Sequence, residues 1–178
     1  MEYSNLAKDL KNNKELAFNK LVKLYQERLY YHIRKIVINH EDTDDVLQNT
    51  FLKVWNNIDN FREESAIYTW LYRIATNEAI TFLNSKKRKS LISLQDTSDH
   101  LIQSLKTDPY FEGDEIQMKL QKAILNLPEK QRIVFNMKYF DEIKYEDMSK
   151  ILNTSVGALK ASFHHAVKKI EDYLLNTD

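Results

Sequence analysis

Residues 145–170 read YEDMSKILNTSVGALKASFHHAVKKI. The spacing predicts two short helices joined by a tight turn. The first, from about Glu146 to Leu152, carries Met148, Ile151 and Leu152 as an apolar stripe. Asn153 and Thr154 are turn formers, and the Ser155 hydroxyl can accept a free amide hydrogen of the next helix. That second helix buries Val156, Leu159, Phe163, Val167, Ile170 and Leu174, three or four residues apart. Lys160, Ala161, His164 and His165 must then share an outer face, with Lys168 a turn further on. Between Asp147 and Glu171 there are four lysines and two histidines and no carboxylate. A major groove has room for such a helix. Lysines supply phosphate contacts, while histidines and Ala161 can touch base edges or a thymine methyl. An isolated amphipathic helix with a solvated lysine face is the blander reading. The short helix before it, the polar turn and the acid-free run together favour DNA.

Outward from that stretch, composition favours helices. Its 178 residues contain only two glycines, two prolines and no cysteine. Phosphate-cradling loops and tight hairpins need glycine, so a nucleotide-binding enzyme and an all-β fold are disfavoured. With no cysteine there is no disulfide and no thiolate metal site. The expectation is a soluble, cytoplasmic protein without signal peptide or membrane insertion. Formal net charge is zero, which argues against a simple polycation. It is unevenly spread: residues 1–90 carry net +3, 91–120 net −4 and 121–178 net +1.

Residues 4–38 read as one short and one long helix with a stripe of Leu16, Leu21, Leu24, Leu29, Ile33 and Ile36. A second helix opens on the acids of EDTDD, whose charge suits its positive end, and runs to about Ile58. Leu47, Phe51, Val54 and Ile58 can face a core. TWLYRIATNEAITFLNSKKRK, residues 69–89, forms a long helix ending in four basic residues, a possible phosphate clamp. SLISLQDTSDHLIQSLKTDPYFEG, residues 90–113, reads as a flexible, partly ordered linker. Beyond it come a helix to about Asn126, another from Pro128 through Tyr139, and the helix-turn-helix. The predicted fold is all-α: two small helical domains, 1–89 and 114–178, joined by the 90–113 linker.

No convergent set of reactive groups emerges, so no catalytic residue, cofactor or metal is expected. His164 and His165 are adjacent and diverge by about 100° on a helix. His32 and His40 read as surface or satisfied histidines. The cluster Asp42, Asp44 and Asp45 is explained by helix-start capping, although a metal-dependent helical hydrolase is the alternative it raises. Asp45, Gln48, Leu52 and Trp55 share one face of the second helix, a patch suited to a protein contact unless Trp55 completes the core. Trp70, Arg73 and Asn77 share a face of the third, where an aromatic, a guanidinium and an amide can receive a splayed-out base.

These blocks, in this order, resemble the bacterial RNA polymerase sigma factors of the extracytoplasmic-function group. DDVLQNTFLKVW resembles their region 2.2, TWLYRIATNEAITFLNSKKRK their regions 2.3 to 2.4, and LPEKQRIVFNMKYF with the helix-turn-helix their region 4. The resemblance implies an initiation factor that gives core RNA polymerase its promoter specificity and is not itself an enzyme. It further implies core contacts at Asp44, Asp45 and Gln48, and minus-ten capture at Trp70, Arg73 and Asn77 beside the 59–68 loop. Minus-thirty-five reading by the 156–169 helix would fall to Lys160, Ala161, Ser162, His164, His165 and Lys168. Expected partners are core polymerase, double-stranded and locally melted promoter DNA, and an anti-sigma factor. Ser162 and His165 stand where arginine is common in the family. Neither can make a bidentate contact to guanine. A free-standing helix-turn-helix regulator with a dimerising or sensing N-terminal domain is the alternative reading.

Overall fold

Asn13 starts the first helix by accepting a hydrogen bond from the Leu16 amide at 3.0 Å. In the computed structural model, residues 13–61, 66–90, 96–108 and 113–176 are described. Among them the secondary structure is helical, in eight α-helices and one 3-10 turn, Ile58–Asn60. They are α1 (Lys14–Val37), α2 (His40–Asn57), α3 (Ile67–Ser90), α4 (Asp96–Lys106), α5 (Glu115–Leu125), α6 (Glu129–Tyr139), α7 (Tyr145–Leu152) and α8 (Val156–Asn176). None is long and apolar enough to cross a membrane. The short helix expected before α1 lies outside the described residues.

The first three helices pack against one another through one face each. α1 buries Ala17, Leu21, Tyr25, Leu29, Ile33 and Ile36, while α3 buries Leu71, Tyr72, Ala75, Ala79 and Leu83. Four of the six residues of the expected stripe, Leu21, Leu29, Ile33 and Ile36, are thus in the core, and two are not. Leu16 and Leu24 are 51% and 41% exposed, and the smaller Ala17 and the ring of Tyr25 sit inside. On α2 the inward residues are Thr43, Val46, Thr50 and Val54, with Leu47 and Phe51 half-buried. The buried Thr50 hydroxyl donates to the Val46 carbonyl at 2.7 Å, which lets a polar residue sit inside. The helix is capped by Asn39, which accepts from the Asp42 amide at 3.0 Å. The acids after it do not cap. Asp42 instead pairs with Lys86 at 2.5 Å, and Asp44 faces His40 at 3.4 Å.

The last four helices form a second bundle. Asp114 caps α5 by accepting from the Gln117 amide, and Pro128 precedes α6, where a missing amide hydrogen is harmless. Phe135 stacks on Phe163 at 5.8 Å between ring centroids. Ala166, absent from the predicted stripe, is fully buried, whereas Phe163 and Val167 are half-buried.

The two bundles share one continuous apolar core. Ile133, Val134, Met137, Ile143, Met148, Ile151 and Leu159 join the cluster built on α1, α2 and α3. α7 lies on α3, and α6 approaches α1. The segment read as a linker contains α4, whose Leu101 and Leu105 are buried with Ile38 and Leu125.

Candidate nucleic-acid interface

The turn between α7 and α8 sets the angle of the reading helix. Asn153 ends α7 in the left-handed conformation, φ 49° and ψ 47°. Asparagine tolerates this better than most residues because its short side chain hydrogen-bonds locally. The Ser155 hydroxyl then accepts from the Ala158 amide at 3.3 Å, as the sequence implied. Leu159, Ala166 and Ile170 fix α8 to its bundle. Lys160, Ala161, His164, His165 and Lys168 are exposed together, and Ser162 is half-buried at their edge.

One residue at this face was not singled out in the sequence. Lys160 Nζ lies over the Tyr145 ring at 5.8 Å, and Lys138 Nζ lies over the same ring at 5.1 Å. The half-buried ring at the start of α7 thus holds two cations from α6 and α8 on one platform. Burial raises the Tyr145 phenol above its ordinary value, so the ring stays neutral. A tyrosine beside a helix start gives no hint in sequence that lysines seven before and fifteen after it will converge on it.

The α3 face is partly occupied. Trp70 is half-buried and packs on Phe61 at 5.3 Å between centroids. Arg73 donates from its guanidinium to the Lys150 carbonyl of α7. Asn77 is exposed. Of the 59–68 loop expected to close a base pocket, residues 62–65 lie outside the described residues. Next to this face the Tyr68 hydroxyl donates to Asp147. Burial, then that hydrogen bond, pushes the Tyr68 phenol up to about 12. The basic run at the end of α3 is not an open clamp: Lys86 pairs with Asp42 and Lys87 with Glu129 at 2.8 Å, leaving Arg88 and Lys89 at the surface.

On α2, Asp44, Asp45, Gln48 and Leu52 are exposed, Leu52 by 56%. Trp55 is half-buried, edge-on to Phe18 at 5.1 Å with Lys14 Nζ over its ring at 4.7 Å. It belongs to the rim of the core, while the outward stripe of α2 stops at Leu52. Among the described residues no group of three or more histidines, cysteines or carboxylates is placed to hold a metal ion.

A buried polar cluster joins the halves. His32 donates from Nδ1 to Asp141 at 2.8 Å, and its Nε2 meets the Thr76 hydroxyl at 2.8 Å. Lys35 also pairs with Asp141, and Asn136 donates to the Lys35 carbonyl at 3.3 Å. His32 is 1% exposed. Burial pushes the Asp141 carboxyl up, but the His32 hydrogen bond and charge, with Lys35, outweigh it and hold the group below the ordinary carboxylate range. His32 is thus a satisfied histidine, but one whose partner lies 109 residues away.

Residues 21–89 match the family described as Sigma-70 region 2, and residues 117–170 match Sigma-70, region 4. The chain is 31% identical to the RNA polymerase sigma-H factor of Pseudomonas aeruginosa, over 89% of this chain and 86% of that one. It is 29% identical to the extracytoplasmic-function sigma factor SigW of Bacillus subtilis, over 94% of each. The fold resembles CnrH solved with the cytosolic domain of CnrY, with TM-score 0.72, 21% identity and 97% of both chains covered. It also resembles the sigma factor RpoE solved with the anti-sigma factor NepR from Bartonella quintana. There the TM-score is 0.70 and the identity 20%, covering 90% of this chain and 98% of the other.

Proposed function

This chain belongs to the extracytoplasmic-function group of RNA polymerase sigma factors, and from that premise we propose how its exposed faces divide the work of initiation. It directs core RNA polymerase to specific promoters. Residues 1–89 dock on the polymerase and engage the minus-ten element, 114–178 read the minus-thirty-five element, and 90–113 connect them. Asp44, Asp45 and Gln48 make the core contact, with Leu52 as its apolar neighbour. Lys160, Ala161, His164, His165 and Lys168 enter the major groove, with Ser162 at the margin. Trp70, Arg73 and Asn77 receive an unpaired minus-ten base, whose capture must offset unstacking of a few kcal/mol.

The observation that carries this reading is the acid-free, wholly exposed face of α8 on a helix-turn-helix whose turn and cap are formed. Lysine contacts to phosphate position the helix, and the side chains between them read base edges. The chain lends specificity and carries out no reaction; phosphodiester chemistry belongs to the polymerase. It acts in the cytoplasm, and an anti-sigma factor holds it inactive. The neutral net charge suits a factor that binds DNA well only within the polymerase, because little non-specific affinity is available from phosphate alone.

A free-standing regulator would not need the α2 stripe. Asp45→Ala with Gln48→Ala is therefore expected to abolish co-purification with core polymerase while leaving helical content intact. Undiminished core binding would remove this assignment.

A further inference from the structure

We propose that His164 and His165 make the base preference of α8 depend on acidity: charged rings select guanine in the upstream element, and neutral rings also admit adenine or cytosine. The inference deepens the assignment of α8 to that element and rests on it.

The two rings are left open where other histidines of the chain are not. His32 is held by Asp141 and Thr76, and His40 by Tyr30 at 2.6 Å. His164 and His165 are exposed, with ring centroids 6.0 Å apart and planes tilted by 57°. Among the described residues neither ring has a hydrogen-bond or ion-pair partner. Lys160 stands one turn before His164 and Lys168 one turn after it. Lys160 rests over the Tyr145 ring of α7, and Lys169 donates to the Gln131 amide of α6 at 3.1 Å. The next acids along α8, Glu171 and Asp172, lie two turns beyond the pair, about 10 Å along the axis. The acids on the helices packed against α8 are Glu115 of α5, Glu129 of α6, and Glu146 and Asp147 of α7. Glu129 pairs with Lys87, and Asp147 accepts from Tyr68. The cations of those helices are Lys119 and Lys122 of α5, Lys130, Arg132 and Lys138 of α6, and Lys150 of α7. None of these groups is bonded to either histidine. Each ring can therefore gain or lose a proton without breaking a contact of the fold, and the change falls on what the face recognises.

Histidine is the side chain that ordinarily changes charge between about pH 5 and 8. A neutral ring has one N–H donor and one bare nitrogen, whereas a charged ring has two donors and no acceptor. The two nitrogens point apart, so a ring meets one base atom at a time. In the major groove guanine presents acceptors alone, N7 and O6. Adenine sets its N6 amino group beside N7, and cytosine presents its N4 amino group. A charged ring cannot accept from either amino group, so guanine is favoured. A neutral ring accepts through its bare nitrogen, and discrimination against adenine and cytosine falls. Arginine stays a donor at every working pH. Histidine at position 165, where the family commonly has arginine, thus exchanges a fixed preference for an adjustable one.

The test uses holoenzyme assembled from the full-length chain and core polymerase. It is mixed with a random promoter library at about pH 6 and about pH 8, and the bound DNA is sequenced. At the upstream positions covered by α8, guanine should gain on adenine and cytosine at the lower pH. The gain should be on the order of five-fold, the worth of one hydrogen bond. His164→Gln with His165→Gln cannot titrate and should select the same upstream bases at both pH values. His164→Arg with His165→Arg should keep guanine at both. A wild-type preference that does not move with pH, or that moves equally in the glutamine pair, overturns the inference. Tighter binding at the lower pH with no change of base puts the rings on phosphates and overturns it as well. His164→Ala with His165→Ala tests the premise separately. An upstream element unchanged in that pair would remove the assignment of α8. A changed element, beside wild-type bases that ignore pH, would keep the assignment and overturn the proton dependence alone.

Discussion

Asp141→Asn tests the junction between the halves most simply, because it removes a charge and almost no volume. The wild-type carboxylate accepts from His32 and Lys35 with 5% of its side chain exposed. A hydrogen bond to a charged group contributes about 1.5–3 kcal/mol. The Lys35 side chain is 26% exposed, so its pairing is screened and adds less than about 1 kcal/mol. Asparagine keeps one acceptor oxygen, so part of the His32 bond survives. The expected loss is about 2 kcal/mol, or roughly 4–8 °C in melting temperature for a chain of this size. Calorimetry and urea titration should agree on it. The sign with pH follows from the depressed Asp141 value. Its stabilisation is complete above the ordinary carboxylate pKa of about 3.9 and is lost as pH falls through the lower folded-state value. Wild type and variant should therefore converge on acidification below about pH 4 and stay apart at neutral pH. A neutral-pH difference under about 0.5 kcal/mol, the range of an ordinary surface substitution, would refute the view that this cluster holds the halves together.

Three further outcomes follow from the reading head. Asn153→Val forces a β-branched residue into the left-handed conformation, at about 1–2 kcal/mol, and tilts α8; melting temperature and upstream-element affinity should fall together. Gly157, in the first turn of α8, has nothing within 4 Å of an added Cβ. Gly157→Ala should therefore raise stability by up to about 1 kcal/mol in denaturant titration. Tyr145→Ala removes the platform under Lys160 and Lys138. It should lower upstream DNA affinity in a titration against salt while leaving core polymerase binding unchanged.

What the sequence disclosed and what it hid have separable causes. The helices of the second half were legible because their signals are local: Asp114, Pro128 and Ser155 each act within three or four residues of where they stand. The outward face of α8 followed from periodicity alone. The core of α1 followed only in part: Leu21, Leu29, Ile33 and Ile36 face inward, but Ala17 and Tyr25 take the inside in place of Leu16 and Leu24, a choice that only the neighbouring helices decide. The acids are the conspicuous charge at the start of α2, whereas Asn39, two residues before the first of them, holds the cap geometry. The junction was invisible for a plainer reason. His32–Asp141, Arg34–Asp108 and Arg73–Lys150 join residues 74 to 109 positions apart, and no pattern in a single sequence relates such pairs. The same distance explains why α4 read as a tether: its partners are on other helices.

The most direct test of the account is reconstituted transcription on a random promoter library with purified core polymerase, with the recovered start sites sequenced. The wild-type chain should select one upstream and one downstream element at fixed spacing. His164→Ala with His165→Ala should change the upstream element alone. Initiation that does not depend on the added chain, or a histidine variant that alters the downstream element and spares the upstream one, would contradict it.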